Sequence, residues 1–218
     1  MAKLLFQGHG SLRITSDSGQ VIYVDPFVGE GYDVPADLIL VTHQHVDHNL
    51  TDMCTKKPNC TIITNKEAMT GGKHNSFDVD GIGVQAVAAY NKNHDIDKCV
   101  GYILTVDGVK IYCSGDTSKT TEMEDFAAMA LDYAILCGDG IYNMDLDEAA
   151  ECAEIIGAKH NIIIHLAPGI FHADNLKGIK KWLSSFFPKG KLYDAEKTEA
   201  WTGPNKLIVP AGEEIDLV

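Results

Sequence analysis

Arginine is almost missing from this chain: Arg13 is the only one in 218 residues, and 18 basic residues face 31 acidic ones, giving a formal net charge of −13. A surface of that sign, without a basic stripe, argues against a nucleic acid as partner. Long apolar runs are absent too. No stretch approaches the length of a membrane span, and "MAKLLFQGHGSL" lacks the apolar centre and small-residue cleavage site of a secretory leader. The expectation is a cytoplasmic protein with no membrane partner. The six cysteines, Cys54, Cys60, Cys99, Cys113, Cys137 and Cys152, include no C-x-x-C pair, and most lie in apolar segments. They read as reduced, mostly buried thiols rather than a disulfide framework or a thiolate metal site. No low-complexity tract divides the chain, and its 45% hydrophobic content suffices for one domain over residues 1–218.

What is present is a series of short apolar runs with turn punctuation. "KLLFQ", "SLRIT", "VIYVD", "DLILVTH", "CTIIT" and "IGVQAVAAY" read as strands in the first part of the chain. "CVGYILTVDG", "VKIYCSGD", "DYAILCGDG" and "HNIIIHLAPG" continue the series. Helices are expected over 120–130, 147–156 and 174–187, the last placing Leu176, Ile179, Leu183 and Phe186 at steps of three and four. Two halves echo each other about ninety residues apart, too far for a solenoid repeat. "VIYVDP" near residue 21 matches "KIYCSGD" near 110, and "ADLILVTHQH" matches "LDYAILCGDG". This pattern implies a domain of two sheets built by duplication. Asp25, His43, Asp116, Asp139 and His165 each close an apolar run, and side chains from several strand ends converge at one rim of a sheet in layered α/β proteins.

Chemistry concentrates in "VTHQHVDHNL", residues 41–50. In extended chain, residues two apart face the same way, so His43 and His45 can present imidazoles to one point. Beyond a turn, Asp47 and His48 can address a second point nearby, giving two ligand pairs and two metal positions. This differs from H-E-x-x-H, where helical spacing brings both histidines to one zinc. The remaining ligands must come from far along the chain, and His94, Asp116 and His165 are the candidates. An imidazole directly after "NIII" has to be hydrogen-bonded or ligated.

These residues resemble the signature of the metallo-β-lactamase superfamily, H-x-H-x-D-H, matched without gaps by His43, His45, Asp47 and His48. Asp25, His94, Asp116 and His165 follow the family's order. "GHGS", "VIYVDPF", "YNKNH", "SGDT" and "DGIYNMDLDEA" are similar to a small branch that includes L-ascorbate 6-phosphate lactonase. The resemblance implies a four-layer αββα sandwich of two mixed sheets flanked by helices. It implies that His43, His45 and His94 hold one metal, that Asp47, His48 and His165 hold the other, and that Asp116 bridges them. His172, seven residues beyond His165, is the alternative last ligand.

Two divalent ions sharing an activated water would serve as a hydrolytic centre without a side-chain nucleophile. Asp47 and Asp116 are then the catalytic carboxylates. The fitting substrate is a small ester or lactone, sugar-derived or phosphorylated; the competing readings are a phosphodiesterase for a small nucleotide or lipid headgroup, and a non-catalytic metal- or ligand-binding module. Imidazole and carboxylate ligands suit zinc, manganese or iron, with zinc the default. His9 and Asp25 are expected to support the ligands. Asp139, Tyr142 and Asn143 are expected to line the substrate pocket. Lys92 and Lys98, the cations nearest His94, read as solvated. A homo-oligomer is left open.

Overall fold

Most of the apolar runs become strands because both of their faces have something apolar to cover. In the computed structural model, which describes residues 1–166 and 192–218, the first sheet contains β1 (Lys3–Gly8), β2 (Ser11–Thr15), β3 (Val21–Val24), β4 (Ala36–Val41) and β5 (Lys56–Thr64). A short helix α1 (Asn65–Ala68) and a small ribbon of β6 (Met69–Thr70) and β7 (Lys73–His74) follow. The second sheet comprises β8 (Ser76–Val79), β9 (Ile82–Ala88), β10 (Val100–Val106), β11 (Val109–Cys113), β12 (Tyr133–Cys137) and β13 (His160–Ile164). β14 (Glu214–Asp216) returns to the first sheet beside β1. The ribbon, β8 and β14 lack the apolar runs that mark the other strands. The helix expected over 174–187, and His172, lie outside the described residues.

The ninety-residue echo is visible in the pairing. Strands β1, β2 and β3 pair antiparallel, and β3, β4 and β5 parallel. Strands β9, β10 and β11 likewise pair antiparallel, and β11, β12 and β13 parallel. Each sheet therefore repeats one succession of pairings, as a duplicated unit would.

Alternation along each strand assigns its two faces. Ile22 and Val24 of β3, Leu38 and Leu40 of β4, Ile111 and Cys113 of β11, and Ile135 of β12 belong to one cluster between the sheets. Tyr112, Ala134, Leu136 and Ile163 face outward and are covered by α2 (Leu146–Ile156) and by a 3-10 segment, Thr121–Met129. Helix α2 starts on Asp145, whose side chain accepts from the Glu148 N–H, and stops at Gly157 in the left-handed region. A short helix α3 (Ala195–Ala200) ends at the buried Trp201, which joins the same cluster. On the outer face of the first sheet, Val21, Tyr23, Ile39 and Val41 are covered by the loop residues Tyr32 and Cys54 among the described residues. The architecture is α/β, two mixed sheets with flanking helices.

The 120–130 segment departs from the α-helix expected there. Its buried residues, Met123 and Phe126, are three apart, and half-buried Met129 continues that step, which is the period of a 3-10 helix. All six cysteines are free, and five are buried. No helix among the described residues is long and apolar enough to cross a membrane.

Parallel pairing aligns the C-terminal ends of β3, β4, β11, β12 and β13, and it is from these ends that Asp25, His43, Asp116, Asp139 and His165 emerge. Truncating the inter-sheet core should be felt there as well. Ile135→Ala, at a fully buried position, is expected to lower unfolding free energy by about 2–5 kcal/mol, measured by urea denaturation. A loss below about 1 kcal/mol would show that the sheets do not close on each other at this residue.

Candidate metal centre

The loop after β4 carries His43, His45, Asp47 and His48. Asp116 reaches the same place from β11, His165 from β13 and His94 from the connection between β9 and β10. All seven residues come together around the carboxylate of Asp116. Its Oδ1 lies 3.4 Å from His48 Nε2 and 3.5 Å from His165 Nε2, while its Oδ2 lies 3.3 Å from His94 Nε2 and 4.0 Å from His43 Nε2. His43 Nε2 is 3.0 Å from His45 Nδ1. Two convergent donor groups lie on opposite sides, His43, His45 and His94 on one and Asp47, His48 and His165, joined by His9, on the other, and a third, His43, His48 and Asp116, links them.

Most of this chemistry is withdrawn from water. His43, His48, His94, Asp116 and His165 are buried, whereas His45 is exposed and Asp47 partly so. His48 Nε2, Asp116 Oδ1 and His165 Nε2 are buried with no hydrogen-bond partner. Unsatisfied buried polar atoms are rare and costly. Three of them pointing at one another is the arrangement a divalent cation satisfies, and a donor set of imidazole and carboxylate suits zinc, manganese or iron. The residues around these three atoms fit such an ion.

Electrostatics reinforces this. Burial, joined by the neighbouring His48, drives His43 well below its ordinary pKa, and burial lowers His94 too, so both are neutral, as ligands must be. Burial also works against the charge of His48, yet Asp116, Asp25 and Asp47 push it up to about 10. His165 is raised, against burial, by Asp116 and Asp139. Asp116 itself is held well below the carboxylate range by His165, His48, His43 and His94, in spite of its burial.

The ligands are held from behind. Asp25 Oδ2 accepts from His48 Nδ1 at 2.8 Å and from Thr42 Oγ1 at 2.6 Å, and its Oδ1 accepts from the Thr42 N–H at 2.7 Å. His9 Nε2 is 3.2 Å from Asp47 Oδ2, and the His9 ring lies 3.7 Å from that of His165, centroid to centroid. His9, Asp25 and His165 all adopt positive φ, at 53°, 47° and 57°, a strained conformation for residues other than glycine. Gly10 is needed for a different reason: a Cβ there would stand 3.0 Å from His48 Cε1.

A pocket of about 390 Å³ opens beside the His43, His45 and His94 group, with Asn65, Lys66 and Lys98 among its walls. Asp139, Tyr142 and Asn143 do not line it. Asp139 is buried, with Oδ1 accepting from the N–H groups of Ile141, Tyr142 and Asn143 and Oδ2 from Asn143 Nδ2. Tyr142 is exposed, and its carbonyl accepts from Asn93 Nδ2 at 2.7 Å. Lys98 is exposed and paired with Asp95 at 2.5 Å. Thr42, Asn65, Lys66 and Asn91 are site residues the sequence reading passed over. Thr42 and Asn91 could have been found by asking what accepts the second ring nitrogen of each ligand histidine.

Comparison with known proteins agrees with this geometry. The model of a beta-lactamase superfamily domain matches residues 3–165. A UPF0173 metal-dependent hydrolase of Pyrococcus furiosus is 31% identical over 193 residues, covering 76% of this chain and 84% of its own. A crystal structure named for a metal-dependent hydrolase of Parabacteroides distasonis is 31% identical with a TM-score of 0.66, covering 83% of this chain and 89% of that one. The metallo hydrolase Igni18 of Ignicoccus hospitalis shares the fold at a TM-score of 0.67 and 21% identity, over 98% and 97% of the two chains.

Because the carboxylates favour a proton on His48 up to about pH 10, a divalent ion must displace that proton to bind. Zinc affinity should therefore rise with pH between 6 and 9, with proton release at each step. Calorimetric titrations at pH 7.5 in two buffers of different ionisation enthalpy check this, and heats that do not depend on the buffer would contradict it.

Proposed function

This chain belongs to the metallo-β-lactamase superfamily as a metal-dependent hydrolase, and we propose that it opens a small lactone or cleaves a small ester with two divalent ions held on either side of Asp116. The observation that carries this reading is the division of the Asp116 carboxylate, with Oδ1 toward His48 and His165 and Oδ2 toward His43 and His94. One position would be held by His43, His45, His94 and Asp116 Oδ2. The other would be held by Asp47, His48, His165 and Asp116 Oδ1. Zinc is the default occupant. When bound, such ions supply water acidified enough to attack an acyl carbon near neutral pH, together with positive charge for the oxygen that becomes negative.

The chain's own residues do the rest. Asp47, partly exposed and steadied by His9, is placed to accept a hydrogen bond from the attacking water and so orient it. Its charge survives because His9 and His48 hold the carboxylate far below its ordinary range, in spite of burial. Burial takes His9, lowered further by His165, down to about 4, so it stays a neutral donor to Asp47 at working pH. The pocket beside His43, His45 and His94 admits a small molecule, and its exposed Lys66 offers a cation to an anionic substituent.

A panel of lactones, carboxylic esters and phosphodiesters, run with metal-loaded and chelator-treated protein, tests the reading. Turnover of the lactones or esters that vanishes with chelation is the expected result; activity confined to phosphodiesters would overturn the substrate class, and none on any member would leave a metal-binding module. Asp116→Ala should lower metal content and abolish turnover while circular dichroism stays unchanged. Lys66→Ala should raise KM for a carboxylate-bearing ester by roughly two- to fivefold, about what one exposed charge contributes, and leave KM for a neutral ester where it was.

A further inference from the structure

The turn after β12 has no place in the pocket, yet its polar contacts lead to both sides of the metal centre. Asp139 Oδ2 lies 3.1 Å from His165 Nδ1, a charge contact rather than an aligned hydrogen bond. The same oxygen accepts from Asn143 Nδ2 at 2.8 Å; Asn143 Oδ1 accepts from Asn91 Nδ2 at 3.0 Å; and Asn91 Oδ1 is 3.0 Å from His94 Nδ1. The direction of this chain is set by backbone groups. Asn91 Oδ1 also accepts from the Asn93 N–H at 2.7 Å, and Asn91 Nδ2 also donates to the Tyr142 carbonyl at 3.1 Å, so the amide cannot be reversed. His94 must then carry its proton on Nδ1, and its Nε2 lone pair is turned toward Asp116 Oδ2.

We propose that Asp139 is a positioning residue that governs one histidine of each metal position, His165 directly and His94 through Asn143 and Asn91. The proposal rests on the metal reading given above. Its physical basis is that a carboxylate behind an imidazole fixes the tautomer and raises the basicity of the other nitrogen, and that amides in series pass on part of that polarisation. Four hydrogen bonds from Ile141, Tyr142 and Asn143 hold the carboxylate still. Asp25 is wired in the same manner. It holds His48 directly and reaches His43 through Thr42, whose single hydroxyl proton goes to Asp25 so that its oxygen accepts from His43 Nδ1 at 3.0 Å. Each buried carboxylate therefore serves one histidine facing Asp116 Oδ1 directly and one facing Oδ2 by relay. The two positions are tuned as a pair.

Cobalt titration of the full chain, followed by calorimetry and by the visible absorption of the bound ion, tests this. Asp139→Asn should weaken both positions by about 10- to 100-fold, whereas Asn91→Leu and Asn143→Ala should weaken one only and leave the other at wild-type affinity. Nitrogen NMR of the metal-free protein supplies a readout that a merely structural role would not move: the Nδ1–H signal of His94 should be lost or shifted in Asn91→Leu and in Asn143→Ala, with that of His165 retained. Wild-type protein that takes two ions while Asp139→Asn changes one position or neither would overturn this proposal alone, as would unaltered His94 signals in both asparagine variants. Wild-type protein that takes no ion would overturn the metal reading with it.

Discussion

Everything at the rim depends on one buried carboxylate. Asp116 is 4% exposed and ringed by His43, His48, His94 and His165. A lone ionised group in such a place would cost several kcal/mol and would neutralise itself instead. It stays charged because four imidazoles face its two oxygens. Those of His43, His48 and His94 are in turn directed by hydrogen bonds on their far nitrogens, and that of His165 by the charge of Asp139, so the strain at His9, Asp25 and His165 and the missing Cβ of Gly10 are local consequences of bringing so many rings to one carboxylate.

Duplication explains how two similar half-domains provide different parts. Asp25 and Ser114 occupy matching places: each continues a parallel ladder by one bond, Asp25 N–H to the Leu40 carbonyl and Ser114 N–H to the Ile135 carbonyl. The first half stops there with a carboxylate, which reaches the Nδ1 side of His48. The second half runs two residues further, through Gly115 at φ +59°, and delivers Asp116 to the Nε2 side of the same ring. A side chain on Gly115 would meet Thr42 Cβ at 2.9 Å, so the close approach of the two half-domains at the rim is a condition for having Asp116 in the centre at all.

How far the sequence could be read follows from where each signal resides. Strands covered on both faces, such as β3, β4, β10 and β12, are uninterrupted apolar runs and were legible, as was the capped helix α2, whereas of the largely exposed β5 only residues 60–64 stood out. β8, the β6–β7 ribbon and β14 are short and half exposed, and nothing in their composition separates them from loops. The 120–130 segment had helical composition, and its three-residue step became decisive only once Met123 and Phe126 had a sheet to cover. At the site, ligand types are rare enough to stand out, and the seven expected side chains do converge. Asp139 also stood out, but sequence could not say which way its carboxylate turns. Its oxygens are taken by the turn that follows it and by His165, because three N–H groups lie within reach and the pocket does not.

The pocket and the relays lie on the same side of the centre, and that placement has a functional consequence. Asn91 holds His94 from behind, while its neighbour Asn93 lines the pocket and donates to the Tyr142 carbonyl. A substrate pressing on Asn93 would therefore act on the turn that carries Asp139. The Asp25 relay also ends in the pocket wall, at His43, which it reaches through Thr42. Each carboxylate is therefore linked to a histidine of the pocket wall, Asp25 to His43 through Thr42 and Asp139 to His94 through Asn143 and Asn91. Asp139 has a second link to the wall, since Asn93 donates to the carbonyl of Tyr142, whose N–H donates to Asp139 Oδ1.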